Sequence, residues 1–146
     1  MQPDLALQLD QAVAEVLAVM LHLACTSEPL ELHPAAAAVT ASVHFTGSID
    51  GICTLALDHP AAAELTSCLI GIPSSRISSD LCLDTASELC NMIAGSWKGA
   101  QSRVHDTSQL SCPTTHSGQP ASSFRQTVAR LYRFAGHHFS LTLSLD

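Results

Sequence analysis

Three observations predict an α+β fold, an antiparallel sheet with long helices packed on it. Hydrophobic residues make up 47% of the 146-residue chain and charged residues only 13%, which is enough apolar surface to bury a core. The apolar period switches along the chain between that of a helix and that of a strand. The two kinds of segment do not follow the strict alternation of βαβ units, which favours antiparallel pairing.

The elements follow in order. Residues 4–25 place Leu9, Val13, Val16, Leu17, Met20, Leu21 and Ala24 at helical spacing, so a long amphipathic helix is expected there. Pro29, Pro34 and an alanine run make 26–38 read as a connection. From Val39 the period is two: Val39, Ala41, Val43 and Phe45 alternate with Thr40, Ser42 and His44, a half-buried strand. Turn residues at 47–51 lead to a second strand at 52–57, giving an antiparallel hairpin. Asp58 is a cap and Pro60 a first-turn residue for a helix through Leu65 and Leu69, stopped by Gly71 with Pro73 beyond. Ser78, Ser79 or Asp80 caps the next helix, which contains DTASELCNMIAGSWKG at 84–99. Short strand-like pieces surround Val104 and Leu110, and 114–123 is a polar loop. A terminal hairpin, 127–134 and 138–145, turns at Ala135-Gly136. The whole chain, 1–146, is expected to be one domain.

Composition excludes some functions. A formal charge of -7 argues against nucleic acid or an anionic membrane as the main partner. No apolar run approaches the roughly 20 residues of a membrane span, and the acidic residues Asp4, Asp10 and Glu15 interrupt any signal-like start. The six cysteines (Cys25, Cys53, Cys68, Cys82, Cys90, Cys112) form no C-x-x-C pair and read as core thiols of a reducing cytoplasm. The eight histidines have no metal-ligand spacing, so no metal site is expected.

The 84–99 helix has an unusual wet side. At 100° per residue, Ala86, Leu89, Cys90, Ile93, Ala94 and Trp97 form a buried stripe, and Asp84, Ser87, Glu88, Asn91, Gly95 and Lys98 lie opposite. Glu88 and Asn91, three apart, sit side by side. A glycine inside a helix costs about 1 kcal/mol relative to alanine. Its presence at Gly95, one turn beyond Asn91, suggests a notch: a side chain there is expected to crowd the Asn91 amide, and its removal lets another surface approach. Glu88 then offers a carboxylate to a cation, and Asn91 an acceptor and two donors to a water or polar group. A solvated helix face also often carries Glu and Asn, and a glycine can simply admit close helix packing, so the residues alone leave both readings open.

Asp84-x-x-x-Glu88-x-x-Asn91, with Ile93-x-Gly95 following and Pro113 twenty-two positions beyond Asn91, resembles the signature of the CheC/CheX/FliY chemotaxis phosphatases. The surrounding order resembles the CheX type: a first helix, a hairpin, an Asp58-x-Pro60-Ala61-Ala62 helix ending LIGIP, then the E-x-x-N helix. The resemblance implies a CheC-like/CheX-like fold and dephosphorylation of the phospho-aspartate of a CheY-type response regulator. It implies that Glu88 ion-pairs with a lysine of the regulator and that Asn91 enters the regulator's active site and orients the attacking water. It implies no cofactor of the chain's own, the Mg²⁺ belonging to the regulator. Phosphoryl transfer is largely positioning and electrostatics, so an uncharged amide suits the task.

By the same resemblance Asp84 is a polar contact at the docking edge or helix-start electrostatics. Gly95 and Lys98 share the partner-binding face, Lys98 reading most simply as a solvated lysine, and Pro113 is structural, at the end of a strand. A single E-x-x-N is CheX-like, and CheX-like proteins can form homodimers through their sheets. The last strand, with Phe139, Leu141, Leu143 and Leu145, is a candidate pairing edge. The alternative function is a non-catalytic binding module of the same fold, docking on a receiver, a chemoreceptor complex or a flagellar switch.

Overall fold

The computed structural model of the chain describes residues 4–30, 39–101, 109–111, 113–116 and 125–146. The first helix, α1, spans Leu5–Val16. Asp4 caps it, its carboxylate accepting from Ala6 N at 3.0 Å and Leu7 N at 3.3 Å. The helix widens into a π-helical turn at Leu17–Leu21 and stops at His22, whose φ of 55° is left-handed. It therefore ends short of residue 25. Cys25 is followed by a strand, β1, Thr26–Pro29, in what reads from sequence as a connection. All four of its residues are exposed, so no alternation marks it; backbone pairing with a distant strand makes it. The remainder of that expected connection, 31–38, lies outside the described residues.

The next strands, β2 (Val39–Thr46) and β3 (Gly51–Leu57), pair antiparallel from Val39↔Leu57 to Phe45↔Gly51. The expected polar side of β2 is drier than a half-buried strand implies: Thr40 and Ser42 are buried, and exposure begins at His44 and Thr46. Ser42 Oγ and Thr54 Oγ1 satisfy one another at 3.1 Å. Asp58 caps α2 (His59–Ile70), accepting from Ala61 N at 2.8 Å, and Gly71 ends it with φ 75°. The long α3, Ser79–Gln101, begins on Ser78, whose Oγ accepts from Leu81 N at 3.2 Å.

Two short strands, β4 (Gln109–Leu110) and β5 (Thr114–His116), both pair with β2. Thus 114–116, expected within a polar loop, is an edge strand; the rest of that loop, and the strand-like piece at Val104, lie outside the described residues. Between Leu110↔Phe45 and Thr114↔Ser42 the edge carries one residue more than β2, a bulge beside Pro113. Here Ser111 N donates to His44 O at 2.9 Å, and Ser111 Oγ accepts from His44 N at 3.0 Å.

The terminal hairpin is β6 (Gln126–Phe134) and β7 (His137–Leu145). Its two-residue loop has positive φ at both Ala135 (44°) and Gly136 (80°), the primed geometry that matches the twist of a hairpin. The sheet runs β1-β6-β7-β3-β2-β4, with β5 also on β2, and every pairing is antiparallel. The last strand is therefore not an edge: β7 is held by β3 on one side and β6 on the other. Its alternation reports burial of one face, which central and edge strands share.

The helices cover one face of the sheet. Leu55, Leu141, Leu143 and Phe139 meet Leu9, Leu89 and Ile93 in one core. Cys90 on α3 points its thiol at the carbonyl oxygens of Cys53 (3.4 Å) and Ala41 (3.6 Å). The hydrogen bond with the Cys90 side chain, and after it burial, push the Cys53 thiol well above its ordinary value. Cys53, Cys82 and Cys90 are buried and Cys25 and Cys68 partly so, all as free thiols; Cys112 lies outside the described residues. Trp97 closes the core beyond Cys90, packed edge-on against Phe45 with ring centres 5.3 Å apart. Its indole N–H is buried without an acceptor among the described residues.

Candidate functional site

The 23 residues of α3 fix the site. Cys82, Thr85, Ala86, Leu89, Cys90, Ile93, Ala94 and Trp97 face inward, which holds the helix over β2, and α1 and α2 pack against it. Thr66 Oγ1 on α2 donates to the carbonyl of Ala62 at 2.7 Å and pairs with Thr85 Oγ1 at 2.7 Å, a buried tie that fixes where the first turns of α3 lie. The predicted inward stripe is the observed one, extended by a turn at its start.

The opposite face carries the candidate residues. Asp84 and Glu88 are exposed, and Asn91, Gly95 and Lys98 are half-buried. One residue in each of three successive turns, Asp80, Asp84 and Glu88, is acidic, and Asn91 follows beside Glu88. Neighbours three or four apart on a helix have Cβ atoms about 5–6 Å apart. Among the described residues neither the Glu88 carboxylate nor the Asn91 carboxamide has a hydrogen-bond partner. Asp80, Leu83, Asp84 and Ser87 line a shallow depression of about 220 Å³ on the same helix.

Gly95 departs from the expectation. A Cβ built there would meet Leu110 Cδ1 at 3.8 Å, an ordinary contact, and no side-chain atom of Asn91 comes as near. The glycine thus does not relieve crowding of the amide; it sits where α3 passes the edge strand β4. Lys98 is half-buried and engaged within the chain rather than a solvated lysine. Pro113 lies between β4 and β5, half-buried at the bulge, and β5 runs next to α3.

Sequence reading missed the other polar cluster of the molecule. Asp10 accepts from Arg130 Nε (3.0 Å) and Nη2 (2.8 Å), from Tyr132 Oη (2.8 Å) and from Ser27 Oγ (3.0 Å). It ties α1 to β6 and β1. The hydrogen bond to Asp10 raises the Arg130 guanidinium further above its already high value. Its signal was an acidic residue on the first helix, but Arg130 and Tyr132 lie 120 and 122 residues away. Among the described residues no group of three or more His, Cys, Asp or Glu is arranged to hold a metal ion, and no helix is long and apolar enough to cross a membrane.

Residues 39–131 match the family model for the chemotaxis phosphatase CheX, a span that contains Glu88, Asn91 and Pro113. The chain belongs to the CheX family. Solved CheX structures share its fold. The chain is similar to chemotaxis protein CheX from Vibrio vulnificus, with 15% identity, a TM-score of 0.78 and coverage of 99% of this chain and 97% of that one. It is similar to CheX of Borrelia burgdorferi, solved as a CheX–CheY–BeF₃–Mg²⁺ complex, with 18% identity, a TM-score of 0.73 and 99% of each chain covered. A chemotaxis protein from Desulfovibrio vulgaris Hildenborough is likewise similar, at 18% identity and a TM-score of 0.77 over 97% of this chain and 96% of that one. No curated protein sequence matches the chain. The CheX-like α+β fold expected from the E-x-x-N helix and its surroundings is the fold observed.

Proposed function

We propose that this CheX-family chain, acting as one CheX-like domain in the cytoplasm, accelerates hydrolysis of the phospho-aspartate of a CheY-type response regulator. Glu88 docks a cation of the regulator, and Asn91 orients the attacking water. The observation that carries this reading is the pair itself: a carboxylate and a carboxamide side by side on the outer face of α3, neither bonded within the described chain. The complex of the similar Borrelia protein with CheY supports a receiver as the partner.

The proposed chemistry asks little of this chain beyond geometry. The carboxamide oxygen accepts a hydrogen bond from the water, leaving a lone pair of the water oxygen free to face phosphorus. Holding that water in line converts a rare collision into a positioned attack. The regulator brings the Mg²⁺, and this chain supplies no metal ligand to the step. Asp84 and Gly95 extend the contact face on either side, and Lys98 borders it. Pro113 acts through the backbone of the edge strand beside α3. A homodimer would carry two such faces in one particle.

The test is the decay of a phosphorylated CheY-type receiver with and without the protein. Wild type is expected to accelerate decay, and Asn91→Ala to abolish the acceleration while the fold, followed by circular dichroism, persists. A wild type that binds the receiver without accelerating decay would establish the non-catalytic module instead.

A further inference from the structure

The residue directly before Asn91 is a buried thiol that reaches the backbone of the sheet. Cys90 is fully buried, and its Sγ lies 3.4 Å from the carbonyl oxygen of Cys53 on β3 and 3.6 Å from that of Ala41 on β2. Cys82, the other thiol on the inner side of α3, is also buried but has no hydrogen-bond partner among the described residues. Cys90 stands in a row of small buried residues, Ala86, Cys90 and Ala94, spaced four apart. Residues at that spacing lie one above the other on a helix face. No member of the row is large enough to hold the helix off the strands beneath it, so a short side chain can touch main-chain oxygens of two of them.

Apolar burial is non-directional. Leu89, Ile93 and Trp97 hold α3 onto the sheet, whereas a hydrogen bond also selects a direction. The single S–H of Cys90 is shared between oxygens on adjacent strands, which favours one height and one rotation of the helix at this turn. The Thr66–Thr85 pair does the same nearer the start of α3. Cys90 and Asn91 share a peptide bond, so a shift of the Cys90 backbone passes directly to Asn91. The Asn91 carboxamide is short and half-buried, and a reacting group displaced by about 1 Å can lose about 10²-fold in rate. Glu88 is longer and exposed, and the attraction of its carboxylate for a cation falls off slowly with distance. Docking therefore tolerates a shift that water positioning does not.

We propose, on the reading of Asn91 given above, that Cys90 is a positioning residue: its thiol, seated on the Ala41 and Cys53 carbonyls, holds α3 at the height and rotation that present the Asn91 carboxamide to the attacking water. Alanine at this position removes the donor. Valine removes it and adds a branch against the strands. Serine keeps a donor on a side chain of similar size.

The test measures decay of a phosphorylated CheY-type receiver with Cys90→Ala, Cys90→Val, Cys90→Ser and Cys82→Ala, separating kcat from KM. Cys90→Ala and Cys90→Val are expected to lower kcat about tenfold or more and to leave KM nearly unchanged. Cys90→Ser should restore most of kcat. Cys82→Ala, which removes a buried thiol from the same side of α3, should keep the wild-type kcat; a loss of stability alone would not follow the donor in this way. Infrared spectroscopy reads the bond without the receiver. The S–H stretch that both Cys90→Ala and Cys90→Ser lose should lie at lower frequency than the stretch lost in Cys82→Ala, because a hydrogen bond weakens the S–H bond. A Cys90→Ala protein with the wild-type kcat, a Cys90→Ser protein no better than Cys90→Ala, an equal loss in Cys82→Ala, or a Cys90 stretch at the Cys82 frequency would overturn the proposal and leave Asn91 its role. An Asn91→Ala protein at the wild-type rate, or a wild type without acceleration, would overturn both.

Discussion

Tyr132 Oη donates a hydrogen bond of 2.8 Å to Asp10 Oδ1, joining β6 to α1 across 122 residues of sequence. Arg130 grips the same carboxylate with two nitrogens, and its side chain and that of Asp10 are only 14% and 20% exposed. Removing one partner of so sheltered a pair leaves the other charge uncompensated. Asp10→Ala should cost about 3 kcal/mol. Tyr132→Phe deletes one hydrogen bond to a charged acceptor and should cost about 1.5–3 kcal/mol. Urea unfolding followed by Trp97 fluorescence checks both, with Asp10→Ala the larger loss.

The same bond sets an alkaline limit. Burial, and after it the hydrogen bond to Asp10, raises the Tyr132 phenol well above its ordinary value of 10.0. A raised folded value means that the stabilisation is complete below pH 10 and fades as pH rises beyond it, because the unfolded chain loses the proton first. Stability should therefore fall above pH 10, and Tyr132→Phe should flatten that limb. Unfolding midpoints measured from pH 8 upward test it; a limb unchanged in Tyr132→Phe would remove Tyr132 as its cause.

Two glycines make opposite predictions for one kind of change. A Cβ at Gly51 would overlap the carbonyl oxygen of Ser144 in the neighbouring strand, and backbone cannot move aside cheaply. Gly51→Ala should cost about 3 kcal/mol. At Gly95, among the described residues outside its own helix backbone, a Cβ meets only the end of the Leu110 side chain at 3.8 Å. Gly95→Ala should stabilise the chain by about 0.5–1 kcal/mol, the ordinary gain of alanine within a helix. Thermal unfolding of the two variants should move in opposite directions.

What was legible in the sequence was what short-range periodicity reports. The inward stripe of α3, the Asp58 and Gly71 ends of α2, and the turn at Ala135-Gly136 each rest on neighbouring residues, and each is where the pattern put it. The features it hid depend on distant partners. Strand β1 is four exposed residues held by β6, and β5 is an edge piece whose pairing with β2 leaves no alternation to read. The central place of β7 is topology, not pattern. At the site, spacing alone put Glu88 and Asn91 on one face. It misjudged Gly95, because the neighbour that decides its space, Leu110, comes from another element.

The division of labour on α3 is tested most directly by titrating the phosphorylated receiver against Glu88→Ala and Asn91→Ala and separating kcat from KM. If the carboxylate docks and the carboxamide positions water, Glu88→Ala raises KM and recovers much of its rate at saturation. Asn91→Ala keeps its affinity for the receiver but stays at the unassisted rate at every concentration. An Asn91→Ala protein that turns over at the wild-type rate would contradict the account.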